Sequence, residues 1–282
     1  MSAEDDKSEK KVLLSIPVYN EQNYINAVLD EVGRYISDIL VIDDGSTDDS
    51  KRLLAQHQNI SLITHPRNLG YGQTIIDAFH FAQSHSYDWL ITMDCDFQHQ
   101  PSWIPALLAV IDDDEADIIS GSRYMPGSAR HSIPPPDRRR INKIITERLN
   151  VKLHLELTDA FCGFKAYRVE ALARLKLSET GYAFPLEFWV QVAQRRLRLG
   201  EIPVGLIYND HNRYFGGQLD DSEVRLRHYK EVLEAALLRA GFGGLYDQEN
   251  ALKDAATCPT TIISLSKADP LKTSERNLPK NI

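Results

Sequence analysis

Short apolar runs alternate with segments of helical periodicity along the first part of the chain. The runs cover residues 12–16, 39–42, 60–64, 89–93 and 117–120, and apolar side chains recur at helical spacing over residues 23–35, 48–58, 71–84 and 102–111. Strands that alternate with helices form right-handed crossovers, and near-continuous runs of Val, Leu and Ile are typical of buried parallel strands. The pattern predicts an α/β domain, in which helices cover both faces of a mainly parallel sheet.

The second half of the chain has a different pattern. Residues 124–136 contain Gly127 and three consecutive prolines, which predicts a loop. We predict helices at residues 137–153, 184–199 and 219–240, and a strand at residues 201–208. The predicted organisation is a flexible N-terminal tail at 1–10, one domain at 11–240 and a polar C-terminal tail at 241–282.

Composition excludes several classes of function. The formal net charge of −8 argues against a general nucleic-acid binder. The chain has no apolar stretch near the roughly 18 residues that span a bilayer, and its polar start does not resemble a signal peptide. Its cysteines, Cys95, Cys162 and Cys258, form no CxxC pair, so we expect neither a disulfide framework nor a zinc site. These features predict a cytoplasmic protein.

Polar residues follow the first three predicted strands, at the strand ends where α/β sheets bind ligands. The segments are IPVYNEQN (16–23), VIDDGSTDDS (41–50) and HPRNLGYGQ (65–73). A carboxylate at Asp44 could accept hydrogen bonds from the N–H groups of a nucleobase. Arg67 supplies positive charge beside two glycines at a helix start, which suits a diphosphate.

The segment MDCDFQHQP (93–101) follows the fourth predicted strand. Asp94 and Asp96 are two residues apart and would point to the same side, and Gln98 repeats the spacing. Two carboxylates and an amide oxygen on one side indicate that a cation lies between them. Hard cations such as Mg²⁺ or Mn²⁺ take oxygen ligands of this kind.

Together these segments resemble one family. PVYNE, VIDDGSTD, RNLGYG, DCDFQH and GSRY occur in the order and spacing of the inverting family 2 glycosyltransferases. The downstream segments DAFCGFKAYRVEAL (159–172) and GYAFPLEFWVQV (181–192) are similar to the polyprenyl-phosphate branch, typified by dolichol-phosphate mannosyltransferase. The resemblance implies the GT-A fold, a Rossmann-like domain that binds a nucleotide sugar.

The resemblance also implies roles for individual residues. Asp94, Asp96 and Gln98 would hold Mg²⁺ or Mn²⁺, with Asp96 essential for catalysis. The residues implied for the nucleotide sugar are Pro17, Tyr19, Glu21, Asp43, Asp44, Arg67, Gly70 and Asp94. Asp159 would contact the donor sugar, and Glu187 would hold the sugar or act as a base. Cys162 stands where the branch more often has serine, so any role of this residue in sugar choice stays open.

The acceptor implied by the resemblance is a polyprenyl phosphate. Its phosphate would be held by Arg123, Arg138 and Asn142, the last of which replaces the serine of the branch. A phosphate monoester has a second pKa near ~6, so it needs no general base near neutral pH. Such an acceptor implies peripheral contact with the cytoplasmic membrane face, through residues 124–133 and the basic helix beyond them or through residues 219–240.

Other functions remain open on the sequence alone. The sugar donor could be a GDP-hexose or a UDP-hexose. The acceptor could instead be a hydroxyl of a saccharide or another small molecule, with Glu187 as the base. A catalytically silent nucleotide-sugar-binding protein is the alternative from another class.

Overall fold

The computed structural model describes residues 10–128, 132–208 and 215–245, together with the backbone of 260–262. All but residue 10 of the predicted N-terminal tail, most of the predicted C-terminal tail and Cys258 lie outside the described residues. Cys95 and Cys162 are buried and free.

One mixed sheet of eight strands forms the centre of the domain, in the order β3-β2-β1-β4-β6-β5-β7-β8. Strand β6 is antiparallel to both of its neighbours, and the other ladders are parallel. The strands are β1 (Val12–Val18), β2 (Ile39–Asp43), β3 (Ser61–Thr64), β4 (Trp89–Thr92), β5 (Ile118–Ser122), β6 (Lys165–Arg168), β7 (Leu199–Pro203) and β8 (Thr260–Ile262).

Helices cover both faces of this sheet, as predicted. Neighbouring strand residues point to opposite faces, so Leu13 packs with one buried cluster and Leu14 with the other. The first cluster contains residues of α3, α5, α6, α7 and α8, and the second contains residues of α1, α2 and α4. The helices are α1 (Ile25–Val32), α2 (Ser50–Leu54), α3 (Tyr71–Ser84), α4 (Ile104–Asp113), α5 (Pro136–Leu153), α6 (Val169–Leu172), α7 (Phe184–Gln194) and α8 (Ser222–Ala240).

Three segments differ from the sequence-based prediction. The helix predicted at 184–199 ends at Gln194, and the strand predicted at 201–208 is β7, which covers Leu199–Pro203. Leu197, in the connection between α7 and β7, is also buried. The apolar spacing that predicted the helix therefore continues past the residue at which the helix ends. Strand β6 was not predicted, because its four residues begin with lysine and end with arginine.

Part of the predicted C-terminal tail belongs to the fold. Leu245 is buried, and the threonine-rich strand β8 adds to the sheet beside β7. Threonine and isoleucine favour strands, but the polar surroundings of this short run hid the signal. Across the described residues, no helix is both long enough and apolar enough to cross a membrane.

Candidate active site

A cavity of about 660 Å³ opens where β1, β2, β4 and β5 end. The strand order reverses between β1 and β4, which is where α/β sheets of this kind form a ligand crevice. The lining includes most of the predicted site residues: Pro17, Tyr19, Glu21, Asp44, Gly70, Asp94, Asp96, Gln98, Arg123, Arg138 and Asn142. Parallel strand ends therefore bring together residues that are far apart in the chain.

The carboxylates after β4 project into this cavity together with Gln98. The Asp94 side chain is 32% exposed, whereas Asp96 is buried and accepts a hydrogen bond from Gln98 N at 3.0 Å. Phe97, between Asp96 and Gln98, has φ 55°, which turns the chain sharply after the strand. Within the described part of the chain, no three His, Cys, Asp or Glu side chains converge as a metal cage. Two carboxylates and an amide oxygen nevertheless fit a hard cation that takes its other ligands from water and phosphate.

Gly163 makes room for the Asp94 carboxylate. A Cβ atom at this position would lie 2.6 Å from Asp94 Oδ2 and 2.9 Å from Asp94 Oδ1. His99 lies on the same carboxylate, with its Nδ1 3.5 Å from Asp94 Oδ2, and burial lowers the pKa of His99 to about 4. The buried Cys162 thiol lies 3.7 Å from His99 Nε2. These packed neighbours fix the direction of Asp94.

Gly163→Ala is expected to weaken Mn²⁺ binding about tenfold, because overpacking of this kind costs roughly 1–3 kcal/mol. The added methyl group would push the Asp94 carboxylate from its position. Calorimetric titration of Mn²⁺ in the presence of a nucleoside diphosphate measures the change. Gly33→Ala, at the end of α1 with φ −61°, is the matched control. Equal Mn²⁺ affinity in both variants would contradict the role of Gly163.

Asp44 holds the loop that follows β3. Its carboxylate accepts hydrogen bonds from Leu69 N at 2.8 Å and Gly70 N at 2.9 Å, and it contacts His65 Nδ1 at 2.7 Å. Gly70 has φ 107°, and a Cβ atom there would lie 2.3 Å from Thr180 O, so only glycine fits. Much of the Asp44 hydrogen-bonding capacity is thus used within the protein.

A smaller cavity of about 300 Å³ adjoins the first and shares Tyr19 and Asn68 with it. Arg67 and Asp43 line this smaller cavity and not the larger one. Asp43 is fully buried and its Oδ1 accepts from Ser46 N at 2.9 Å, whereas its Oδ2 has no partner among the described residues. The residues predicted for the nucleoside and the diphosphate are therefore divided between two adjoining cavities.

Arg123, which follows β5 and lines the large cavity, forms a buried ion pair with Asp159. Arg123 Nε lies 2.6 Å from Asp159 Oδ2, and a second guanidinium nitrogen lies 2.9 Å from Oδ1. Asp159 Oδ1 also accepts from Asn142 Nδ2 at 2.7 Å and from Phe161 N at 3.2 Å. Burial raises the pKa of Asp159, but the charge and hydrogen bonds of Arg123 reverse the effect and hold that pKa below its usual value.

Asp159 is fully buried and does not line the cavity. The resemblance implied that it contacts the donor sugar, but its oxygens are occupied by Arg123, Asn142 and the backbone. Arg123 lines the cavity with its side chain 13% exposed. Asp159 therefore holds the Arg123 guanidinium group in position.

Glu187 also lies outside the cavity lining. Its buried carboxylate accepts from Ser178 N, Ser178 Oγ and Glu179 N at 2.7–2.9 Å, and it pairs with Arg239. The sequence suggested a base or a sugar ligand at this position. In the structure the carboxylate fixes the loop before α7, and its role as a base or sugar ligand stays a prediction.

Two cations of the cavity were not predicted. Arg225 of α8 is buried, pairs with Asp137 and lies 4.3 Å from the Phe215 ring, while Arg138 lies 4.8 Å from the same ring. Lys165, at the start of β6, donates to Cys162 O, and burial lowers its pKa. Both Arg225 and Lys165 line the cavity beside Arg123 and Arg138.

Both carboxylates and guanidinium groups line the cavity. Comparison with known proteins assigns the chain to a family. The model of a family described as "Glycosyl transferase family 2" matches residues 14–176, which is more than half of the chain. The chain belongs to this family. It is therefore a glycosyltransferase that uses a nucleotide sugar, as the motifs predicted.

Named relatives place this glycosyltransferase near the polyprenyl-phosphate branch. An undecaprenyl-phosphate mannosyltransferase from Micrococcus luteus is 28% identical over 244 residues, covering 83% of this chain and 99% of that protein. A polyprenol monophosphomannose synthase from Mycolicibacterium smegmatis is 28% identical over 205 residues, covering 69% of this chain and 77% of the relative. The resemblance to this branch is confirmed.

Solved structures confirm the GT-A fold. Glucosyl-3-phosphoglycerate synthase from Mycobacterium tuberculosis, in complex with Mg²⁺ and uridine-diphosphate, has a TM-score of 0.62 and 18% identity, covering 91% of this chain and 90% of that one. The complex of that enzyme with Mn²⁺, uridine-diphosphate and glucosyl-3-phosphoglycerate has a TM-score of 0.59 and 19% identity, covering 83% and 81%.

Proposed function

We propose that this glycosyltransferase moves a hexose from a nucleotide-sugar donor to a polyprenyl phosphate, with inversion at the anomeric carbon and with the aid of a divalent cation. The observation that carries the proposal is that two kinds of group, from different elements, line one cavity. Asp94, Asp96 and Gln98 follow β4, whereas Arg123 follows β5 and Arg138 belongs to α5. We call the lining residues after β1, β2 and β4 the donor end, and those of β5, α5 and α8 the acceptor end. Two anionic substrates need both kinds of group, because a metal can neutralise one and guanidinium groups the other.

The donor end would hold the nucleotide diphosphate with its cation. Asp94, Asp96 and Gln98 would supply protein ligands, and Mg²⁺ or Mn²⁺ bound there would stabilise the charge of the leaving diphosphate. Pro17, Glu21 and the loop held by Asp44 form the adjoining wall. The metal-bearing complexes of the structural neighbour support this arrangement.

The acceptor end suits a nucleophile that is already ionised. The carboxylates among the described lining residues are Glu21, Asp44, Asp94 and Asp96, and all four follow β1, β2 or β4 at the donor end. The lining residues from α5 and α8 supply guanidinium groups instead. A phosphate dianion held there needs no base, because it carries its negative charge near neutral pH. The names of the two relatives support the same acceptor class.

Arg138→Ala is expected to raise the acceptor KM roughly ten- to hundredfold, because a hydrogen bond to a charged group is worth about 1.5–3 kcal/mol. Donor binding should be nearly unchanged. Arg138→Lys should restore acceptor binding only in part, since lysine keeps the charge but loses the planar fork. Steady-state kinetics with varied acceptor measure both effects.

Arg139→Ala is the matched control for Arg138. Arg139 is exposed, lies 5.2 Å from the Tyr124 ring and does not line the cavity. With a short-chain acceptor and no membrane present, its replacement should leave the acceptor KM near the wild-type value. An unchanged acceptor KM in Arg138→Ala, or an equal rise in Arg139→Ala, would contradict a specific phosphate contact at Arg138.

Peripheral membrane contact is part of the same proposal. Ile133 lies in the loop between β5 and α5 and is 84% exposed, three residues before the first turn of α5. That helix then presents Arg139 and Arg140 on its surface. An exposed apolar side chain beside basic residues suits the interface of an anionic membrane.

Ile133→Asp is expected to lower partition into anionic vesicles about tenfold, because burial of one aliphatic side chain contributes roughly 1.5–3 kcal/mol. Vesicle sedimentation measures the bound fraction. Val151→Asp is the control, since Val151 is 50% exposed near the opposite end of α5. Equal partition of wild type and Ile133→Asp would exclude this loop as a contact.

A comparison of acceptors tests the proposed function. Purified protein with Mn²⁺ and labelled GDP-hexose or UDP-hexose is offered a short-chain polyprenyl phosphate, the matching free prenol, and simple saccharides. We expect labelled lipid with the phosphate alone. Product with prenol or saccharides, and none with the phosphate, would replace the proposal with transfer to a hydroxyl group. Binding of a donor without turnover for any acceptor would indicate a nucleotide-sugar-binding protein.

A further inference from the structure

Glu201 of β7 lies behind the acceptor end of the cavity and is 1% exposed. Its Oε2 accepts from Thr158 N at 2.9 Å and from Thr158 Oγ1 at 2.8 Å, and its Oε1 lies 3.4 Å from Asp159 N. One carboxylate thus contacts three donors from two consecutive residues. Asp159, the second of them, is the residue that holds Arg123.

A chain of hydroxyl groups connects Glu201 to the other side of Arg123. Ser122 Oγ accepts from Tyr124 N at 3.3 Å and lies 2.5 Å from Thr158 Oγ1, which donates to Glu201. An ionised carboxylate only accepts, and a backbone amide only donates. With Glu201 ionised, the proton order is therefore Tyr124 N–H to Ser122, Ser122 to Thr158, and Thr158 to Glu201. Ser122 and Tyr124, the residues before and after Arg123, therefore both belong to this chain of hydrogen bonds.

We propose that Glu201 is a positioning residue for the acceptor phosphate. Its ionised carboxylate fixes Thr158 and Asp159 directly and the 122–124 segment through two hydroxyl groups, so that the Arg123 guanidinium is held at the cavity wall. This inference rests on the proposed function, because it takes Arg123 as a ligand of the acceptor.

The chemistry of the position requires a carboxylate. Burial raises the pKa of Glu201 to about 7, and the hydrogen bonds from Thr158 and Asp159 oppose that rise. The ionised form therefore prevails above about pH 7, and the variants below are compared there. A glutamine of the same shape has one accepting oxygen and one donating nitrogen. If the oxygen accepted from Thr158, the nitrogen would face the Asp159 N–H, and the two donors would repel.

Glu201→Gln is expected to raise the acceptor KM about tenfold, the effect of one lost hydrogen bond to a charged group. The affinity for nucleoside diphosphate with Mn²⁺, measured by calorimetry, should stay at the wild-type value. Asp117→Asn is the matched control. Asp117 precedes β5, accepts from Arg198 N at 2.9 Å at the opposite end of the β5–β7 pair, and lies outside the cavity lining. Its replacement should lower the melting temperature without raising the acceptor KM.

A second pair of variants tests the same chain of hydrogen bonds if Glu201→Gln fails to fold. Thr158→Val removes the hydroxyl that joins Ser122 to Glu201, and Thr158→Ser keeps it. We expect Thr158→Val to raise the acceptor KM and Thr158→Ser to restore it. A wild-type acceptor KM in Thr158→Val, or an equal rise in Asp117→Asn, overturns the proposal. Absence of transfer to polyprenyl phosphate by the wild type overturns the proposed function itself, which separates the two failures.

Discussion

We expect Asp96→Asn to lower turnover about 10²–10³-fold, the effect of removing one group that stabilises developing charge. Asparagine keeps the shape of the side chain, and its oxygen can still accept from Gln98 N. The variant should therefore fold while one charged ligand of the cation is lost. Turnover at saturating donor and acceptor, with Mn²⁺ in excess, measures the effect.

Two controls accompany this experiment. Asp113→Asn makes the same charge change at an exposed position of α4 and should retain wild-type turnover. EDTA should abolish wild-type activity, and added Mn²⁺ should restore it. Full activity of Asp96→Asn, or of the wild type in excess EDTA, would disprove the metal role.

The Arg123–Asp159 pair should give the largest change in stability. Arg123→Met is expected to lower the free energy of unfolding by about 3–5 kcal/mol, because it leaves the buried Asp159 charge without its partner. The double variant Arg123→Met/Asp159→Asn should recover part of that loss, because asparagine removes the unpaired charge and keeps an oxygen that accepts from Asn142 and Phe161. Urea unfolding measures each value. A loss in Arg123→Met below about 1 kcal/mol would show that water reaches the pair.

The stability from this pair should depend on pH in one direction. The pKa of Asp159 is lower in the folded protein than its usual value of 3.8, so the unfolded chain binds a proton more readily. The contribution is complete above pH 3.8 and is lost as the pH falls through the folded-state pKa. Asp159→Asn should therefore flatten this acid limb of an unfolding profile. A parallel profile for the variant would contradict the assignment.

The sequence predicted the residues at the donor end because regular geometry brings them together. Parallel strands end at one edge of the sheet, so motifs after β1, β2, β4 and β5 meet wherever those strands are correctly assigned. Asp94, Asp96 and Gln98 needed only two-residue spacing and a strand end. The alternation of apolar runs was sufficient to predict the strand, and with it the side to which these residues point.

The basic residues of the cavity could be predicted only in part because their positions depend on packing between distant elements. Arg225 resembles an exposed residue of an amphipathic helix, yet contact between α8 and α5 buries it against Asp137 and Phe215. Lys165 begins a strand that was too short and too charged to recognise. Neither residue type nor spacing carries information about such contacts.

A motif also does not tell whether a carboxylate faces the ligand. Asp159 and Glu187 follow motifs of the family, but the structure directs one toward Arg123 and the other toward the backbone of residues 178–179. The distinction depends on the donors around each carboxylate, which only the folded chain provides. Glu201 had no motif at all, and its contacts with Thr158 and Asp159 became visible only in the sheet.

The linkage and configuration of the product test the central claim most directly, that an ionised phosphate held by arginines is the nucleophile. Product formed by the wild type from an α-linked nucleotide hexose and a polyprenyl phosphate is purified and examined by proton and phosphorus NMR. The account predicts one glycosyl phosphate with a phosphorus-coupled anomeric proton in the β configuration. A sugar attached through a hydroxyl oxygen without phosphorus coupling, or an anomeric centre that stays α, would contradict it.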